Sequence, residues 1–142
     1  MKASLVAEYI LSLSSPEEGD IISHLKLQKL LYYAQGFHLA LTGCSLFEED
    51  ILNWPHGPVV KEVYDIYKSH GRSALPVPEN TDFSSFTTQQ KSTIDEAYNV
   101  YGQFSAWKLR QMTHEEPPWQ DTNENDLITH DALKAYFKSQ LN

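Results

Sequence analysis

Apolar residues recur along this chain mostly with the period of an α-helix. Leu5, Val6, Tyr9, Ile10 and Leu13 fall on one face of a first helix, and the run SSPEEGD breaks it. A second helix is expected over 24–42. Ser23 precedes it as an N-cap, with Ile22 and Leu27 spaced as a hydrophobic staple. Gly43 follows as the residue that lets a helix end in a left-handed turn. Within this helix Leu27, Leu30, Leu31, Ala34 and Leu41 form one apolar face, and Tyr33, Phe37 and Ala40 form a second. A helix apolar on so much of its circumference belongs at the centre of a fold.

Its one polar row is Gln28, Tyr32 and Gln35, spaced i, i+4, i+7. This row reads either as the helix's solvent side or as a polar, aromatic patch for a partner. The segment CSLFEEDILNW fits a short helix or an extended piece. In WPHGPVV, at 54–60, Gly57 and Pro58 read as the opening of a third helix with proline at N1. Val59, Val60, Val63, Tyr64 and Tyr67 would line its buried face, and His56 would stand exposed at the corner before it. Residues 72–86 form a long loop. A fourth helix is expected at roughly 87–104, burying Ile94, Ala97, Tyr98 and Tyr101. Ser105 caps a fifth, Pro117 and Pro118 end that region, and a last helix begins at Thr129 with Ile128 and Leu133 as its staple. That helix would bury Leu133, Tyr136, Phe137 and Leu141. No strand ladder stands out. The expectation is an all-α fold of five to seven helices around helix 24–42, in one domain spanning 1–142.

Charge and composition narrow the function classes. The net charge is −8, from 11 basic and 19 acidic side chains, spread over both halves. Binding to nucleic acid relies on neutralising phosphates, so such a partner is not expected. No apolar run reaches the length of a membrane span, and no signal peptide is evident; a cytoplasmic protein without a membrane partner is the expectation. Cys44 is the only cysteine, which leaves no intrachain disulfide and suits a small apolar filler.

Six histidines are present, but none pairs at i, i+4, and no Cys-x-x-Cys occurs, so neither metal nor cofactor is expected. THEEPPW at 113–119 lacks the second histidine of a zinc-protease helix, and Pro117 forbids continuation of such a helix. Glu115 and Glu116, neighbours before a proline, read as a solvated turn. A small hydrolase using His114 and Glu116 is the enzymatic alternative to a non-catalytic binding module.

Three blocks in order carry a resemblance: LKLQKLLYYAQG at 25–36, LFEEDILNWPHGPVVKEVYDIYKSHG at 46–71 and LRQMTHEEPPW at 109–119. Together, over about 1–137, they resemble the Panacea domain family, with its SocA-like antitoxins and phage-associated GepA-type proteins. The family's recurring positions fall on Leu27, Lys29, Leu30, Tyr32, Gln35, Trp54, Gly57, Pro58, Val59, Tyr64, Thr113, His114, Pro118 and Trp119, while His56 falls at a variable one. The resemblance implies an all-helical antitoxin that binds a toxin encoded by a neighbouring gene, with a protease or chaperone as a further partner for members acting as proteolysis adaptors. It also implies that some members reside in prophages. Members with an added DNA-binding segment repress their own transcription; this chain shows no basic helix for that. Lys29, Tyr32, Gln35, Trp54, Gly57, Pro58, Val59, Thr113, His114 and Trp119 are accordingly the expected motif or partner-binding residues.

Overall fold

The computed structural model describes residues 1–141. Seven α-helices lie among them: α1 (Ala3–Ser12), α2 (His24–Thr42), α3 (Lys61–Tyr67), α4 (Thr88–Tyr101), α5 (Ala106–His114), α6 (Pro117–Gln120) and α7 (His130–Ser139). Helix α2 is central, packing against α1, α3, α4, α5 and α7. Its ends follow the sequence signals. The Ser23 hydroxyl accepts from the Lys26 amide, and Gly43 ends the helix at φ +78°. Thr87 and Gln90 form a reciprocal capping box on α4, and Ser105 and Thr129 cap α5 and α7.

The core joins Leu27, Leu30, Leu31, Tyr32 and Tyr33 of α2 to Val6 and Ile10 of α1, Ile94 of α4, Leu109 of α5 and Phe137 of α7. Phe137 sits directly over Gly36, where a Cβ would overlap its ring. A glycine there lets α2 and α7 approach closely. Three residues expected inward are not: Leu41 is 54% exposed, and Tyr64 and Leu141 are also exposed. Leu41 lines an open recess beside α4, Gln140 and Leu141, while Leu39 and Ala40 of the same turn are buried.

A small antiparallel sheet departs from the all-helical expectation. Strands β1 (Ile51–Trp54), β2 (Gly57–Val59) and β3 (Leu127–Ile128) stand in the order β2-β1-β3. Leu52 faces Val59, Trp54 faces Gly57, and Ile51 faces Ile128. The segment CSLFEEDILNW therefore ends as a strand. Gly57-Pro58 does not open a helix but returns the chain after the Pro55–His56 turn; α3 begins at Lys61, with Val60 as its cap. Proline is tolerated because β2 is an edge strand, where a missing N–H breaks no inner ladder. Periodicity misses strands of two to four residues because they are shorter than the windows that reveal alternation.

Candidate partner-binding site

The polar row of α2 is buried rather than solvent-facing. Gln28, Tyr32 and Gln35 are each nearly inaccessible, and each spends its side chain on a neighbouring segment. Gln28 accepts from the Val60 amide at 2.8 Å and donates to the Val60 carbonyl at 3.3 Å. Gln35 accepts from the amides of Leu46 and Phe47 at 2.6 and 3.3 Å and donates to the Phe47 carbonyl at 3.0 Å. A primary amide can present an acceptor and a donor side by side, as the backbone of a strand neighbour does, so each glutamine stands in for a missing strand. Between them, Lys29, 1% exposed, donates its amine to the Pro58 carbonyl at 3.0 Å. Three side chains of one helix thus secure the open edge of the hairpin and the loop before it.

Gly57 makes this possible. Its φ is +110°, and a Cβ would stand 2.7 Å from Lys29 Cε and 2.9 Å from Thr113 Oγ1. Thr113 is fully buried and donates to the Arg110 carbonyl at 2.9 Å. Lys29, Gly57, Pro58, Val59 and Thr113, far apart in sequence, meet where α2, β2 and α5 join. Burial pushes the Lys29 amine down to about 7, and the neighbouring Arg110 adds to the effect.

Tyr32 faces a different cluster. Tyr32 and Tyr33 each donate to Glu116 at 2.9 Å, one to each carboxyl oxygen, and Tyr33 stacks on Tyr101 with centroids 3.8 Å apart. Burial raises the Glu116 carboxyl to about 7, opposed by hydrogen bonds from Tyr33, Tyr32 and Tyr136. Burial, then the carboxylate, raises both Tyr32 and Tyr33. Glu116 is therefore not part of a solvated turn, although Glu115 is exposed. Proline after Glu116 starts the short helix α6 at its N1 position, and this turn carries the carboxyl into the core. No sequence signal separated Glu116 from Glu115; only the packed tyrosines do.

Trp54, His114 and Trp119 form the outer part. The Trp119 indole N–H donates to the Trp54 carbonyl at 3.0 Å, and the His114 ring stacks on Trp119 at 4.1 Å. Trp54 is half-buried, with Tyr64 edge-on at 5.0 Å. Arg110 lies over the Trp107 ring at 4.6 Å and donates from Nε to His56 Nδ1 at 3.3 Å. His56 is exposed at the hairpin corner, as expected. Burial lowers His114, and Arg110, Lys29 and His56 lower it further, against a raising contact from the Pro55 carbonyl. Among the described residues no hydrogen bond joins His114 to Glu116. Cys44 is exposed rather than a core filler.

The expected residues thus divide by depth. Lys29, Tyr32, Gln35, Gly57, Pro58, Val59 and Thr113 are buried, whereas Trp54, His114 and Trp119 reach the surface. Sequence reasoning passed over Gln28 as a strand surrogate and Arg110 as a surface group. The i, i+7 recurrence of glutamine on an otherwise apolar helix was the available signal for the former.

The fold and this junction define a mostly helical domain whose central helix fastens a small hairpin through buried polar side chains. The model of the antitoxin SocA-like, Panacea domain matches residues 27–120, and the chain belongs to that family. No curated protein and no solved structure matches the chain. No helix among the described residues is long and apolar enough to cross a membrane.

Proposed function

We propose that this protein is the antitoxin of a toxin–antitoxin pair and neutralises its toxin by direct, stoichiometric binding. The observation that carries this reading is family membership over residues 27–120. The junction supports it physically. Buried motif residues fasten the hairpin backbone, and Trp54, His114 and Trp119 stand on the resulting rigid edge. A surface fixed before contact loses little entropy when a partner docks. Half-exposed tryptophans suit such contacts, since they bury large apolar area at little rotamer cost. We take the chain to act as one domain in the cytoplasm, with a protein encoded beside it as partner. Delivery of the bound toxin to a protease would follow from the same complex, and toxin lifetime in cells measures it.

The test is co-expression with the adjacent gene product at matched soluble levels, with pull-down in parallel. Wild type should restore growth and co-purify with the toxin at fixed stoichiometry. His114→Gln retains hydrogen-bonding capacity and should retain most of both, whereas loss of a general acid–base group costs roughly 10²–10⁴ in rate. A His114→Gln protein that binds the toxin normally but gives no rescue would show that binding is not the mechanism.

A further inference from the structure

The molecule is strongly acidic, yet its cations are unevenly answered. Helix α5 holds Lys108 and Arg110 and no carboxylate. Among the described residues the side-chain ion pairs are Lys61 with Asp65 and Lys68 with Asp65; Arg110 has none. Arg110 instead points its Nε at His56 and lays its guanidinium over Trp107, which is 59% exposed. The ionisable groups felt by His114 are Arg110, Lys29 and His56, all basic. Arg110, a fixed charge without a carboxylate partner, therefore sets the local field, while burial pushes Lys29 and His114 toward their neutral forms.

This field opens on a recess of about 510 Å³, lined among others by Asn53, Trp54, Arg110, His114, Trp119 and Glu124. Two buried side-chain polar atoms lack a hydrogen-bond partner among the described residues, His114 Nε2 and Asn53 Oδ1, and both residues line this recess. Buried polar atoms are ordinarily paired. The two needs differ: Arg110 calls for an anion, while the Asn53 oxygen calls for a donor. A peptide supplies both, a carboxylate from a side chain or C-terminus and N–H groups from its backbone. Trp54 and Trp119 provide apolar walls for the rest. Glu124 is exposed and makes no ion pair with Arg110, so it stands on the rim as a mild repellent.

We propose that the recess between the β1–β2 turn, α5 and α6 is a carboxylate-binding site that seats an acidic residue of the partner protein on Arg110. That the carboxylate comes from a toxin rests on the antitoxin reading; the existence of the site does not.

The direct test uses the full chain, titrated with acetyl-Gly-Glu-Gly-amide, its glutamine counterpart and inorganic phosphate. Indole and backbone NMR signals are followed. The glutamate peptide should shift the Trp119 indole N–H and the α5 amides saturably, and the glutamine peptide should not. Arg110→Gln should weaken binding about tenfold, the worth of one charge-assisted hydrogen bond. Glu124→Gln should tighten it about twofold by removing a screened repulsion; this arm decides should Arg110→Gln fail to fold. Lys108→Gln, on α5 but not lining the recess, should leave binding within about twofold on the same grounds. Equal shifts from both peptides, no shift from either, or tighter binding of phosphate would overturn the assignment. Co-expression separates the two layers. Rescue by wild type with failure of Arg110→Glu supports docking at this recess. Full rescue by both overturns docking there and leaves the antitoxin reading standing. No rescue by wild type removes the antitoxin reading, and the peptide titration still decides the site.

Discussion

Gly57 shows how narrow the tolerance of single residues is at this junction. Its φ of +110° strains any L side chain, and the space a Cβ needs is already held by Lys29 Cε at 2.7 Å. The lysine stem cannot easily yield, because its amine is tied to the Pro58 carbonyl and its surroundings are buried. Gly57→Ala should therefore destabilise the fold by about 1–3 kcal/mol from backbone strain alone. Displacement of Lys29 adds to that. Urea unfolding at matched pH measures it, and a change below about 0.5 kcal/mol, typical of a surface site, would contradict the geometry. The same junction explains why Lys29 could be picked out from the chain while its role could not. A lysine on an apolar helix usually snorkels to water; here Gly57 and Thr113 close over it.

At the scale of elements, the hairpin is held less by its own ladder than by α2. Strand β2 has three residues and contains a proline, and a two-stranded hairpin alone is marginal in water. The Gln28 amide supplies the pairing that a further strand would give Val60. Gln28→Leu keeps the volume but leaves the buried Val60 N–H unpaired, costing about 1–3 kcal/mol, while the Val60 carbonyl still accepts from the Tyr64 amide at 2.9 Å. Native-state hydrogen exchange should then show the Val60 amide opening faster, with α4 and α7 amides changing only as global stability changes. Unchanged protection at Val60 would mean the hairpin is held by other contacts. Several helix starts, by contrast, were legible: Ser23, Ser105 and Thr129 cap where side-chain chemistry places them, whereas α3 starts at Lys61 rather than at Pro58. Capping is a local interaction, complete within four residues.

Across the whole molecule, buried titrating groups set opposing pH trends. Glu116, raised from 4.5 to about 7, holds a proton when folded that the unfolded chain gives up, so its stabilising share is lost as pH rises from about 4.5 through 7. Lys29, lowered from 10.5 to about 7, acts in the other direction. Between about 7 and 10.5 the unfolded chain binds the extra proton, so stability rises with pH. Lys26, also lowered by burial, adds to that rise, and His24 and His114, held below 6.5, partly offset the Glu116 trend. Thermal melts from pH 5 to 10 should show the falling arm weakened in Glu116→Gln and the rising arm weakened in Lys29→Met. Parallel profiles for wild type and both variants would show that neither group changes protonation on unfolding. Single residues in sequence give no access to these trends, because burial is the cause of both shifts.

The chain by itself determined the longer helices, several of their N-caps and the centrality of α2, since helical period and capping depend on residues within a turn or two of one another. Ordered motif blocks also determined its family, because their order and spacing survive without knowledge of contacts. Tertiary structure alone decided what the polar residues of those blocks do. Gln28, Lys29 and Gln35 meet backbone from residues 46–60, and Tyr32 and Tyr33 meet a carboxyl over eighty residues away. Whether a glutamine faces water or replaces a strand depends on which segment the fold brings beside it. The same holds for Arg110 and His56, which meet across 54 positions.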